Sequence, residues 1–202
     1  KLKKYPNIKI LTSATVQSIS GQPGKFDVLI NQKGNIINEK VGSIITAVGW
    51  KPYDASKIEG FGFGKYDNVV TNFRVQSSIS DGKGKIMRPS DGTNPRSIIF
   101  IQCAGSRDEN HLPYCSSICC ATSLKQSSYI KKNSPETNVY IVYKDIRAPA
   151  QLEEFYKERQ REGVLFMKGD VSNILEERNG SLIVKVKDTL VGDSLDIKAD
   201  MV

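Results

Sequence analysis

The chain is poor in the residue types that membrane anchors and acid–base sites require. Its 202 residues include one histidine and one tryptophan, and only 8% are aromatic. No apolar run approaches the roughly 20 residues of a membrane-spanning helix, so we expect no direct membrane insertion. The chain does not begin with methionine, and it ends on Ala-Asp-Met-Val, a sequence typical of the start of a buried strand. We therefore expect an internal fragment of a larger protein.

The composition is that of a globular protein with an uneven charge. Hydrophobic residues make up 39% of the chain and charged residues 25%, which argues against disorder. The net charge of +7 is concentrated in residues 1–96, where 15 Lys and Arg face 7 Asp and Glu. Because these lysines are scattered and few aromatics accompany them, a solvated basic surface is favoured over a nucleic-acid site. We expect no nucleic acid among the partners.

All four cysteines lie within 18 residues, at Cys103, Cys115, Cys119 and Cys120. A secreted disulfide framework would distribute its cysteines to connect distant loops, and two adjacent cysteines would serve it poorly. The cluster instead favours a reducing compartment, hence the cytoplasm, and a metal site.

Local patterns predict an α/β fold. Residues 97–102, 116–132 and 138–143 indicate a strand, a helix and a strand, which form a βαβ unit with parallel pairing. A second helix is predicted over 149–163. Further strands are predicted at 8–11, 15–19, 26–30, 36–39, 43–48, 164–167, 171–175, 181–186 and 195–198. Residues 53–96 are rich in glycine, proline and serine and only weakly periodic. Within them, 81–84 and 89–92 predict exposed loops, and we expect a domain boundary between about 72 and 96.

The cysteine spacing predicts a metal centre at the carboxyl end of the sheet, where open α/β proteins bind ligands. Cys103 ends a predicted strand, and the other three cysteines stand at the start of the next helix. Four thiolates suit a [4Fe–4S] cluster or zinc, and the adjacent pair favours the cluster. Redox-active or merely buried thiols are a third alternative. His111, in the same loop, is a further candidate ligand, although a solvent-facing role is favoured.

The same stretch lacks the glycine pattern of a dinucleotide site. Residues 103–107 contain only Gly105, whereas a G-x-G-x-x-G motif brings backbone amides to the pyrophosphate. We therefore expect no NAD(P) at this position.

The run 100–120, FIQCAGSRDENHLPYCSSICC, resembles the cluster motif of the heterodisulfide reductase A-subunit family. Residues 143–147, 154–156 and 166–169 match its downstream segments. Residues 49–54 and 88–92 resemble one branch more closely, the A subunit of the quinone-interacting membrane-bound oxidoreductase of sulfate reducers.

This resemblance implies a Rossmann-like, FAD- and NAD(P)-binding two-domain flavoprotein of the thioredoxin reductase type. Its four cysteines would ligate one [4Fe–4S] cluster. Ala47, Val48 and Gly49 would lie beside the FAD, with Val48 in place of the usual threonine. The two remaining flavin-binding segments are expected before Lys1 and after Val202. The implied domains are 1–72, part of an FAD-binding domain; 73–96, a linker; and 97–202, an NAD(P)-binding-like domain that carries the cluster.

The implied function is electron transfer between flavin and cluster toward other subunits of a membrane-associated complex. No side chain is assigned as a catalytic acid, base or nucleophile, because the cofactors carry the chemistry. In the resembling branch the partners are a quinone module and adenylylsulfate reductase, in dissimilatory sulfate reduction. The alternatives are an electron-bifurcating flavoprotein of the heterodisulfide reductase A type and a zinc-stabilised binding module without redox activity.

Overall fold

A computed structural model describes residues 4–81 and 85–202. The chain divides into two compact units, Lys1–Lys51 and Pro52–Val202. Within the described ranges, no helix is both long enough and apolar enough to cross a membrane.

The first unit contains a three-stranded antiparallel sheet, in the order β1, β2, β3. Its strands are β1 (Ala14–Gln22), β2 (Lys25–Gln32) and β3 (Asn35–Val41). Glycines make both connections possible, because Gly24 and Gly34 adopt φ angles of 90° and 92°, which side chains disfavour. The predicted strands at 15–19, 26–30 and 36–39 are thereby confirmed.

Two predicted strands of this unit are not formed. Residues 8–11 and 43–48 have no regular secondary structure. The composition of the apolar run 43–48 predicts burial, yet Ile45 is 91% and Val48 88% exposed. A buried strand needs a hydrogen-bonded neighbour and a covering layer, and the sheet of this unit consists of β1, β2 and β3 alone among the described residues.

The second unit is a mixed α/β layer structure around a five-stranded sheet in the order β4-β5-β6-β7-β8. Its elements are α1 (Asn72–Asp81), β4 (Ser97–Ile101), α2 (Cys119–Asn133), β5 (Asn138–Tyr143), α3 (Leu152–Arg161), β6 (Leu165–Glu176), β7 (Leu182–Asp188) and β8 (Ser194–Ala199). Strands β4, β5 and β6 are parallel and are connected through α2 and α3. The predicted α/β class with a Rossmann-like βαβ unit is confirmed.

Strand β6 joins the parallel half of the sheet to an antiparallel half. Its first residues pair with β5 in parallel, and Gly169–Glu176 pair with β7 in antiparallel register. The sequence predicted two strands here, but the chain continues through a bulge between Val171 and Asn173. A side chain on Gly169 would come within 2.6 Å of the Lys187 carbonyl oxygen, so glycine permits the change of partner.

The sheet is covered by apolar side chains on both faces. On one face, Phe100 and Ile141 pack with Leu124 of α2 and with Val75 and Ile79 of α1. On the other face, Ile99 and Val142 pack with buried residues of β6, β7 and β8. Because β4 and β5 are buried on both sides, they read as continuous apolar runs.

Helix α1 lies in the segment 53–96, where weak periodicity predicted no helix. Most of the loop predicted at 81–84 lies outside the described residues. Val75 and Ile79 stand four residues apart on one face and are 5% and 7% exposed. The hydroxyls of three serines, Ser77, Ser78 and Ser80, donate hydrogen bonds to backbone carbonyls one turn earlier. Such bonds lower helix propensity. The division into domains at 1–72, 73–96 and 97–202 stays a prediction. The compact units of the structure divide at a different position, after Lys51.

Helix α2 begins three residues later than predicted, at Cys119 rather than Ser116. Ser117 adopts a φ of 58°, in the left-handed region that a right-handed helix cannot include. Cys115 is consequently in the loop, while Cys119 and Cys120 open the helix.

Candidate functional site

Cys103 and Cys115 lie in the long loop between β4 and α2, which folds back on itself, and Cys119 and Cys120 open α2. The backbone N–H of Arg107 donates to the Tyr114 carbonyl at 3.1 Å, and that of Leu112 donates to Gly105 at 3.3 Å. Cys103 begins the loop with a φ of 57°. This turn directs the chain away from the strand and brings residues 105–114 back across its end.

Three of the four thiols affect one another's pKa. The interaction with Cys103, and then that with Cys120, lowers the pKa of Cys119 below its ordinary value. The pKa values of Cys103 and Cys120 are raised, first by the interaction with Cys119 and then by burial. Cys119 is therefore the member of this group that most readily yields a thiolate, the form that binds metals.

Cys115, in the loop before α2, is half-buried. Its sulfur accepts a hydrogen bond from the Ser117 N–H at 3.3 Å. Among residues 4–81 and 85–202, no three or more His, Cys, Asp or Glu side chains are arranged to hold a single metal ion. The assignment of all four cysteines as cluster ligands stays a prediction.

The loop after β5 provides polar partners for the Cys120 sulfur. The backbone N–H of Arg147 donates to this sulfur at 3.4 Å, and the carbonyl oxygen of Asp145 lies 3.9 Å from it. Backbone N–H groups directed at cysteine sulfurs are among the features that set the potential of protein-bound clusters.

An ion pair joins the same two loops. Nη2 of Arg107 donates to the Asp145 carboxylate at 2.8 Å, and the ammonium of Lys168 lies 3.9 Å from the other carboxylate oxygen. The pKa of Asp145 is lowered, mainly because it accepts the hydrogen bond from Arg107. The other terminal nitrogen of Arg107, Nη1, is buried and has no hydrogen-bond partner in the described part of the chain.

Tyr53 contacts the same loop at two residues. Its hydroxyl lies 2.7 Å from Nδ1 of His111, and the two rings meet edge to face. The ring also packs on Gly105, where an added Cβ would come within 2.3 Å of the Tyr53 Cδ1. His111 is therefore half-buried and bonded rather than solvent-facing, which corrects the sequence prediction. Nothing in the sequence linked Tyr53 with a histidine 58 positions later.

A small cleft opens beside the cysteine loop, at the carboxyl ends of the parallel strands. Phe61, Gln102, Cys103, Lys144 and Asp170 are among its lining residues. Gln102 is 5% exposed, and neither atom of its side-chain amide has a partner among the described residues. The crevice expected at the carboxyl end of the sheet is thus present, next to Cys103.

The three residues expected beside FAD lie in the irregular segment after the first sheet. Ala47 and Val48 are exposed, and Gly49 has a φ of 74° with no atom within 4 Å of an added Cβ. Their role in cofactor binding stays a prediction.

Comparison with known proteins identifies relatives for most of the chain. No protein-family model matches. The chain is 45% identical over 182 residues to the A subunit of H(2)/formate:CoB-CoM heterodisulfide,ferredoxin reductase of Methanococcus maripaludis, covering 87% of this chain and 28% of the relative. It is 44% identical over 186 residues to the iron-sulfur A subunit of CoB--CoM heterodisulfide reductase of Methanocaldococcus jannaschii, covering 89% of this chain and 28% of the relative.

Solved structures show more distant similarity. The thioredoxin reductase of T. acidophilum is 18% identical with a TM-score of 0.37, over 93% of this chain and 50% of that one. The ornithine N-hydroxylase of Kutzneria sp. 744 is 10% identical with a TM-score of 0.43, over 93% and 52%.

Together these features define an α/β protein in which a loop and the start of the following helix carry four cysteines at the carboxyl end of a parallel strand. Over the stretch that it matches, the chain belongs to the heterodisulfide reductase A-subunit family, as predicted. It spans about 28% of the length of these relatives.

Proposed function

We propose that the chain is part of an FAD-dependent iron–sulfur oxidoreductase, in which electrons pass between the flavin and a [4Fe–4S] cluster. The observation that carries this proposal is the placement of the cysteines, with Cys103 just after β4 and Cys119 and Cys120 at the start of α2. The relative from M. jannaschii is named as an iron-sulfur protein, which supports the same chemistry for this loop.

Cys103, Cys115, Cys119 and Cys120 would hold the cluster, which when bound supplies one-electron storage and transfer. The donor set fits this group, because four thiols lie within one loop and the start of the following helix. In the same loop, the buried Nη1 of Arg107 is left without an acceptor among the described residues. The chain itself fixes the sulfurs: Ser117 and Arg147 donate backbone N–H groups to Cys115 and Cys120.

FAD would lie beside residues 47–49. The left-handed backbone of Gly49 and the open space at its α-carbon permit the close approach of a bulky planar group. The exposed apolar side chains of Ile45 and Val48 are suited to being covered. Flavin and cluster would then be carried on the same polypeptide.

The proposed reaction class is that of heterodisulfide reductase A-type flavoproteins, which the names of the relatives favour over the sulfate-reduction branch. Residues 88–92, which carry part of the resemblance to that branch, have a structural role in this chain. Arg88 donates to the Gly180 carbonyl at 3.1 Å, and the Ser90 N–H donates to Asn68 at 3.1 Å. These residues tie a turn to the β6–β7 hairpin.

The partners would be other subunits of a redox complex, since the relatives are named as A subunits. A finer hypothesis adds a quinone module and adenylylsulfate reductase as partners, and attachment of the complex to a membrane. The proposed compartment is the cytoplasm. Co-purification of the native complex, with identification of its subunits, distinguishes the two branches.

Anaerobic purification of the full chain tests the proposal. We expect a brown protein whose iron and acid-labile sulfide fall by about four each per chain when the cysteines of this loop are replaced by serine. Bound zinc without labile sulfide would overturn the proposal and support the zinc-stabilised module. A protein with neither metal would leave redox-active thiols as the function of the loop.

A further inference from the structure

We infer that the fixed positive charge of Arg107 raises the reduction potential of the metal centre held by the cysteines. The inference rests on the proposed cluster and adds a role for a residue that ligates nothing. It begins from the burial of the Arg107 side chain, which is 23% exposed although it carries a full positive charge.

The guanidinium is held in place from one side only. Nη2 donates to the Asp145 carboxylate at 2.8 Å, whereas the buried Nη1 has no partner among the described residues. A buried, unpaired N–H of a charged group is costly, so a site built this way is expected to offer Nη1 an acceptor. Cys103 lies four residues earlier in the chain, and a cluster thiolate there would have the chemistry of such an acceptor.

Asp145 connects this charge to a second sulfur. Its carboxylate holds Arg107, and its backbone carbonyl lies 3.9 Å from the sulfur of Cys120. The position of the guanidinium is therefore fixed by the same loop that contacts Cys120, and Arg107 itself lies four residues after Cys103. The backbone of Arg107 is fixed as well, by the bond from its N–H to Tyr114 at 3.1 Å.

A fixed positive charge beside the sulfurs acts on the electron equilibrium in one direction. One-electron reduction adds a negative charge to the centre, and a nearby cation stabilises that charge, more strongly where burial lowers the effective dielectric constant. Arg107 therefore favours the reduced form. Lys168, which pairs with the same carboxylate at 3.9 Å, is 40% exposed and more strongly screened.

The test is a redox titration followed by electron paramagnetic resonance on the full chain, with Arg107→Gln and Arg107→Lys compared with the unaltered protein. We expect Arg107→Gln to retain its iron and to be reduced less readily, with the equilibrium shifted about tenfold, which is about 59 mV for a one-electron couple. Arg107→Lys should restore most of the potential because it keeps the charge. Lys168→Gln, the matched loss of a cation from Asp145, should shift the equilibrium far less.

Several results would overturn the inference. An unchanged potential in Arg107→Gln, or an equal shift in Lys168→Gln, would mean that Arg107 has no specific effect. If Arg107→Gln does not load iron, Arg107→Met is the second neutral variant, and loss of iron in both would mean that Arg107 builds the site rather than tuning it. Absence of any iron–sulfur signal in the unaltered protein would instead overturn the proposed function itself.

Discussion

The hydroxyl of Tyr53 lies 2.7 Å from Nδ1 of His111, and this bond fastens the cysteine loop to a segment that precedes the sheet by more than forty residues. The ring that carries the hydroxyl rests on Gly105. One tyrosine thus contacts the loop twice, at a glycine two residues after Cys103 and at a histidine four residues before Cys115. Its position limits how the loop between these two cysteines can fold.

The contact with Gly105 predicts a large steric effect. Gly105→Ala should lower the free energy of unfolding by about 1–3 kcal/mol more than Gly192→Ala, because overpacking is added to the backbone strain. Both glycines have left-handed backbones, at φ 78° and 85°, but only at Gly105 does an added Cβ meet a neighbour. Urea unfolding of both variants measures the difference.

Tyr53→Ala provides the control for that experiment. If the clash with the ring is the cause, Gly105→Ala should cost much less when Tyr53 has been replaced, so the two changes are not additive. Equal costs for Gly105→Ala with and without the ring would show that Tyr53 is not the obstacle.

His111 and Cys119 should respond differently to substitution, although they share the loop. Cys119→Ser should weaken or convert the proposed cluster, because it removes a proposed ligand whose pKa is lowered. His111→Ala should leave iron in place, since its ring nitrogen Nδ1 is engaged by Tyr53. Iron and sulfide analysis after anaerobic reconstitution measures both variants.

The ligand assignment would be wrong if His111→Ala abolished iron binding while Cys119→Ser was tolerated. Tyr53→Phe separates a ligand role of His111 from a structural one. It removes the hydrogen bond, at a net cost of about 0.5–1.5 kcal/mol, but leaves the histidine present.

Asn68 should be a sensitive position for stability. It is fully buried, and its amide donates to the Ser90 hydroxyl at 3.0 Å and to the Gly180 carbonyl at 2.8 Å. Its oxygen accepts from the Ser90 N–H at 3.1 Å. Asn68→Ala removes three hydrogen bonds made by a fully buried side chain, each worth about 0.5–1.5 kcal/mol net, so we expect a loss of about 2–4 kcal/mol in the free energy of unfolding.

Asn133→Ala is the matched control, because Asn133 is exposed and makes one bond, to the Tyr129 carbonyl at 2.8 Å. Its substitution should cost about 0.5 kcal/mol or less. Comparable losses in the two variants would contradict the role assigned to burial at Asn68. Thermal or urea unfolding monitored by circular dichroism provides the comparison.

The sequence sufficed for features that depend on local pattern. Strand β5 was predicted at its observed bounds, because both faces are covered and its residues are apolar almost throughout. Helix α1 was missed because its serines resemble those of a loop, although Val75 and Ile79 carried the helical spacing. The run 43–48 was misread for the opposite reason: an apolar composition predicts burial, but burial also requires a covering element, which composition does not reveal.

Spacing singled out the four cysteines of the candidate site, but it gave no sign of the residues around them. Their assignment as ligands stays a prediction. Arg107, Asp145 and Tyr53 could not be assigned from the sequence, because each is a common residue whose role depends on a contact across 38 or 58 positions. Such pairs become visible only once the loops have been placed.

The βαβ unit should not bind NAD(P)H, and its geometry gives the reason. A dinucleotide fold leads directly from strand to helix through a tight glycine turn, which presents the helix N-terminus to the pyrophosphate. Here β4 ends at Ile101 and α2 begins at Cys119, so residues 102–118 intervene. The first turn of α2 carries Cys119 and Cys120, and a thiolate there would repel phosphate. Calorimetric titration of the full chain with NADH at millimolar concentration should show no saturable heat from this site. Micromolar binding that was lost on replacing Gly105, the one glycine of the loop, would contradict the prediction and would mean that the cysteine loop coexists with a phosphate site.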